Sequence, residues 1–148
     1  MKLSLVTLAC LLLIGAAAIA SSRGTQSNSE DTAVRQTVQN YLHGLKHNDV
    51  ESLKKAFYPE AKLLFVRKDK QLGQLTQEQW HKGFAASAGK EEKGDLSITS
   101  VDITGDAASV KVVEVYDQSK YIDYLSLLKL NGEWKIVNKI YTVEQLKR

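Results

Sequence analysis

The feature that most constrains this chain is the alternation of apolar and polar side chains that runs at period two from about residue 94 towards the C-terminus. Successive side chains of a strand point to opposite faces, so the pattern encodes half-buried β-structure and excludes a helix over the same residues. Turn-forming stretches "TGD", "DQSK" and "NG" divide it into expected strands at residues 96–103, 107–116, 121–130 and 133–142. Such a meander has one dry face, and another part of the chain must cover it.

The cover has to come from the front of the sequence. Val34, Val38, Tyr41, Leu42 and Leu45 recur at three- and four-residue spacing and make one apolar helical stripe, with Asp31 or Ser29 as the expected cap. Asn48-Asp49 interrupts it. Asp49 is expected to cap a short second helix carrying Val50, Leu53 and Phe57, which Pro59 stops. "KLLFVR", residues 62–67, reads as a strand followed by a turn at Lys68-Asp69-Lys70. Thr76 with Gln79 three residues on fits a capping box for a third helix bearing Trp80 and Phe84. "GKEEKG", residues 89–94, is expected to be a solvated loop. Helices first and a meander second make the class α+β, a curved antiparallel sheet wrapped around three N-terminal helices.

"MKLSLVTLACLLLIGAAAIASS" has a basic start at Lys2, an apolar run and small residues at Ala18 and Ala20, the pattern of an export signal. The expected organisation is a signal peptide at residues 1–20, a disordered polar linker at 21–31 and one domain at 32–148. The alternative is an uncleaved anchor, since this apolar run is about the minimum that spans a bilayer. Cleavage after Ala20 would leave 128 residues, enough for one core, and place the chain in a periplasmic or secreted setting away from the membrane. Cys10 departs with the leader, so packing rather than disulfide bonding must stabilise the domain. The full-chain charge of +3 is dispersed among acidic residues, which does not indicate a nucleic-acid partner.

The hairpin "DYLSLLKLNGEWKIVNK" carries the functional question. If Asn131-Gly132 forms a two-residue turn, the pairs Leu130 with Glu133 and Lys129 with Trp134 set a register in which Tyr121, Asp123, Leu125, Leu127, Lys129, Trp134, Ile136, Asn138, Ile140 and Thr142 share the dry face. Glu133, Lys135 and Lys139 then fall on the outer face with Tyr124, Leu128, Val137 and Tyr141, a composition that suits a homodimer interface. Asp123 and Asn138 interrupt the dry wall as diagonal neighbours. They mark either the polar end of a pocket or a mutually satisfied pair at the open end of the sheet. A bulge at the turn would exchange the faces.

Other constellations are weak. His43 and His47 stand four apart on the first helix but point away from the apolar stripe, so a solvated face is expected rather than a metal site. No nucleophile elbow, phosphate-binding loop, dinucleotide fingerprint or zinc-protease helix occurs, and no cofactor is implied.

"YLHGLKHNDVESLKKAFYPEA" together with the terminal hairpin resembles the nuclear transport factor 2-like superfamily, and most closely its putative lumazine-binding branch, over roughly residues 31–143. The resemblance implies a cystatin-like cone of sheet around helices, with a cavity at the wide end that is also used by SnoaL-like and ketosteroid-isomerase-like chains. Fold alone does not fix function in such a family. Tyr41 matches the tyrosine that ketosteroid-isomerase-like chains carry on the first helix. The base position falls near Phe65 and the acid position near Ser126, and neither is a carboxylate. The expected function is therefore an exported, non-catalytic module that holds a small apolar or amphipathic molecule. Its expected pocket is Asp123, Asn138, Tyr41, Trp80, His81, Leu125, Leu127, Trp134 and Ile136. The alternatives are a proton-transfer enzyme of isomerase or dehydratase type using Asp123 with Tyr41 or His81, and a homodimeric interaction domain.

Overall fold

The computed structural model describes the backbone of residues 15–147 and side chains from residue 27. Its elements are α1 (Gly15–His47), α2 (Val50–Ala56), β1 (Phe57–Val66), β2 (Leu72–Thr76), α3 (Gln77–His81) with a following 3-10 turn (Lys82–Ser87), β3 (Gly94–Thr104), β4 (Ala107–Tyr116), β5 (Ser119–Leu130) and β6 (Glu133–Gln145). One six-stranded sheet has the order β2-β1-β6-β5-β4-β3. The α+β cone therefore stands, with two additions: β2 was not expected, and β1 pairs with β6 in parallel. Chain order permits the parallel pair, because β1 is separated from β6 by all the intervening elements and can run in either direction. No helix among the described residues is long and apolar enough to cross a membrane.

The helical stripe packs as expected. Val34, Val38, Tyr41, Leu42 and Leu45 of α1 are buried with Leu53, Val110, Val112, Leu125, Leu127, Trp134 and Ile136 in one core between helices and sheet. α2 is capped by Asp49, whose carboxylate accepts from Glu51 N at 3.0 Å and from Ser52 Oγ at 2.5 Å. It ends at Ala56, because Phe57 and Pro59 already belong to β1 and Pro59 does not stop it. α3 has the expected capping box of Thr76 and Gln79.

Residues 1–14 of the expected signal segment lie outside the described residues. The polar stretch 21–31 is not an irregular tether. It continues α1 as helix, so neither Ser29 nor Asp31 caps a start there. Two contacts supply what its composition lacks: Glu30 receives Lys129 Nζ at 2.6 Å and Trp134 Nε1 at 2.8 Å, and Asp31 pairs with Arg35 one turn on at 2.6 Å.

Gly44 marks where α1 and α2 touch. A Cβ built there would clash with the Leu53 side chain and stand 3.0 Å from Asp49 O, so a side chain at this position forces the buried Leu53 to shift. Alanine is favoured over glycine by about 1 kcal/mol in a helix interior, whereas overpacking a core contact costs about 1–3 kcal/mol. Gly44→Ala is therefore expected to lower the urea midpoint. An increase would show that the helix pair yields at no cost.

Candidate functional site

The terminal hairpin begins in the expected register. Asn131 and Gly132 have φ of 52° and 86°, the left-handed pair that a type I′ turn requires. Leu130 pairs with Glu133, Lys129 with Trp134 and Leu127 with Ile136. Then the register slips: Ser126 pairs with Asn138 and Leu125 with Lys139, which leaves Val137 as an extra residue. This bulge, in mid-strand rather than at the turn, exchanges the faces of the second half of β6.

The consequence is a different site from the one expected. Asn138 and Ile140 move to the outer face, and Lys139 and Tyr141 turn inward. Asn138 is no neighbour of Asp123 on the dry wall. Instead Lys139 Nζ meets Asp123 Oδ2 at 2.7 Å, with the lysine side chain 5% exposed and the aspartate 0%. A buried carboxylate needs such partners, because an unpaired charge in a core is strongly destabilising.

Tyr41 completes the group from α1. Its hydroxyl donates to Asp123 Oδ2, accepts from Lys139 Nζ and lies 2.9 Å from Glu114 Oε1 on β4. A phenol has one proton to give, so both contacts are hydrogen bonds only if one of the two carboxyls is itself protonated, and Glu114 is the one without the ammonium contact that Asp123 has. The electrostatics agree: burial is the largest influence on Glu114, raising its pKa to about 8 against the opposing pull of Lys139. Burial also raises the Tyr41 phenol well above its ordinary value, helped by the nearby Glu114 and Asp123.

Beside this quartet lies a cavity of about 760 Å³, lined by Trp80 and Phe84 from the α3 segment, by Tyr116, Tyr121 and Tyr141 from the sheet, and by Lys139 and Glu114. The rings meet edge-on in pairs, Trp80 with Phe84 across one helical turn at 5.3 Å and Tyr116 with Tyr121 between β4 and β5 at 5.9 Å between centroids. Glu91, Glu92 and Lys93 border the cavity from the loop that was expected to be merely solvated. That loop is tied down: Asn48, in left-handed conformation after α1, donates from Nδ2 to Lys90 O at 2.9 Å and to Glu92 Oε1 at 3.0 Å.

Of the expected pocket residues, Trp80 lines the cavity. Tyr41 and Asp123 stand behind Lys139 and Glu114 with no exposed surface, while Leu125, Leu127, Trp134 and Ile136 are core. His81 is off the lining beside Trp80; burial lowers its pKa, and its Nε2 has no hydrogen-bond partner. The His43 and His47 rings lie 4.5 Å apart at a tilt of 43°, and no metal-holding group of side chains occurs among the described residues.

Lys139, Glu114, Tyr116 and Tyr141 were not anticipated as pocket residues. Glu114 was legible, since Val110, Val112 and Glu114 share one face by parity. Lys139 was not, because the bulge inverts its parity.

The raised Glu114 has a stability consequence. In the unfolded chain a glutamate ionises near 4.5, so between about pH 4.5 and 8 the folded state binds more protons than the unfolded one. The slope of unfolding free energy with pH is then negative, and this group's contribution is full below about 4.5 and lost as pH rises through about 8. Glu114→Gln is expected to flatten that decline, read as melting temperature against pH. An unchanged slope would show that Glu114 is ionised in the fold.

The fold and cavity define a nuclear transport factor 2-like domain. The chain belongs to the family described as "Putative lumazine-binding", whose profile matches residues 29–142. Among solved structures it is similar to an NTF2-like protein of unknown function from Silicibacter pomeroyi DSS-3, at 22% identity and TM-score 0.71 over 80% of this chain and 98% of that one. A second, from Shewanella baltica OS155 and also of unknown function, has 25% identity and TM-score 0.72 over 78% and 94%. A ketosteroid isomerase-like protein from Erwinia carotovora atroseptica SCRI1043 shares the fold at 12% identity and TM-score 0.57 over 79% and 96%. No curated protein matches the sequence.

Proposed function

We propose that this protein is an exported, non-catalytic module that holds a small molecule in the aromatic cavity. The carrying observation is the cavity itself: its volume of about 760 Å³ falls within the range of about 300–1,000 Å³ usual for ligand sites, with five aromatic rings and few polar groups at its inner end. The expected apolar wall is thus aromatic, and its polar end is Lys139 and Glu114 rather than Asp123 and Asn138. Protein-observed NMR of residues 21–148 with a fragment library that includes lumazine tests the reading. Planar fragments that shift resonances of Trp80 or Tyr141 support it, and a library without a single hit at these residues overturns it. Export rests on the leader sequence, and N-terminal sequencing of the exported protein should begin at Ser21.

A proton-transfer reading keeps one supporting observation, now centred on another carboxyl. Glu114 borders the cavity with its pKa pushed up to about 8 by burial, whereas Asp123 is sealed behind it. Deuterium exchange into the α-position of bound carbonyl fragments, lost in Glu114→Gln, would favour it over simple binding. Self-association through the outer sheet face is supported by Tyr124, Leu128 and Ile140, each at least 40% exposed. A monomer by light scattering at high micromolar concentration removes it.

A further inference from the structure

The inner end of the cavity is uncharged as a unit. Lys139 is matched by Asp123 at 2.7 Å, and with the shared proton at Tyr41 on Glu114, the carboxyl that has no ammonium partner, one cation and one anion cancel. The outer border carries Glu91, Glu92 and Asp117 beside Lys93, with Glu91 paired to Lys46 at 3.4 Å, so it holds no excess of positive charge. A carboxylate ligand would pass a border without excess positive charge to reach an ammonium already neutralised, and would leave its own charge unbalanced in a partly dry site. An uncharged ligand incurs neither cost.

Lys139 nevertheless has a donor to offer. An ammonium carries three N–H groups, of which Asp123 Oδ2 and the Tyr41 oxygen take two, while the side chain borders the cavity. The third suits a neutral acceptor oxygen, and the rings of Trp80, Tyr121 and Tyr141 suit a flat, conjugated body.

We propose that the cavity selects uncharged planar molecules whose carbonyl oxygen accepts from Lys139, and that it excludes carboxylates of the same shape. This rests on the small-molecule reading above and specifies its ligand class. Glu114 makes the selection depend on pH. It is faced by Tyr41 from α1, Asp123 and Tyr121 from β5 and Lys139 from β6, with Tyr116 beside it on β4. Its ionisation turns the inner end net negative and sets a carboxylate beside the incoming carbonyl oxygen.

Three bicyclic probes of similar size separate the possibilities: coumarin, neutral with a carbonyl; naphthalene, with none; and naphthoate, an anion. Coumarin is expected to bind about tenfold or more tightly than either of the others by NMR titration at about pH 6.5, the worth of a hydrogen bond to a charged donor. Its affinity should fall severalfold by about pH 9 in the natural sequence, while Glu114→Gln binds with its own affinity and without that fall. Naphthoate or naphthalene binding as well as coumarin overturns the inference, as does failure of coumarin when other library fragments bind. Failure of the whole library overturns the binding reading beneath it.

Discussion

Lys139→Ala is expected to destabilise the domain by about 3–5 kcal/mol, a large share of a total of about 5–15 kcal/mol. The change strips the Asp123 carboxylate of its cation in a place with no solvent, where Asp123 Oδ1 already has no hydrogen-bond partner. Desolvation decides the magnitude, since the same pair on the surface would be worth about 0–1 kcal/mol. The combination of Lys139→Met with Asp123→Asn should recover most of the loss, because it removes both charges and leaves an amide oxygen to accept from the Tyr41 hydroxyl. Urea denaturation of Lys139→Met, Asp123→Asn and the double variant gives the coupling energy directly. Additive losses would mean that the two charges do not meet in solution.

Trp134→Ala is the second large effect, at about 3–5 kcal/mol. The indole is 4% exposed in the main core, and its Nε1 also donates to Glu30 Oε2 at 2.8 Å, which fastens the early part of α1 to the hairpin. A shift of roughly 4 °C per kcal/mol for a domain near this size puts the expected fall in melting temperature at about 12–20 °C. Trp134→Phe should cost much less, because it keeps most of the buried ring and loses only the tether to Glu30. Equal falls in the two variants would assign the effect to the tether and not to packing.

The two residues also show how far the sequence could be read. Trp134 lies within four residues of a turn whose type is dictated by Asn131-Gly132, so its face and its partner Lys129 follow by counting. Lys139 lies beyond Val137, where one unpaired residue inverts the count, and nothing in "KIVNKIY" distinguishes a bulge from continuous alternation. The helical stripe and the caps at Asp49 and Thr76 were legible because they depend on neighbours within four residues. β2 was not, since "LGQLT" is short and contains a glycine, and its pairing with β1 is a tertiary choice. The helix through residues 21–31 was missed for the same reason: Glu30 finds Lys129 and Trp134 about a hundred positions away. Asp123 was rightly singled out as a polar group on the dry face, but the identity of its partner depended on the inverted half of β6.

The central claim is that a protonated Glu114 and a charge-paired Lys139 close the inner end of a ligand cavity. Carboxyl-carbon NMR of Glu114, followed across pH in the mature domain and again with coumarin bound, tests it most directly. A midpoint of about 8 in the free protein, moved upward by the ligand, is the predicted result. A midpoint near the ordinary glutamate value of 4.5, unmoved by the ligand, would contradict it.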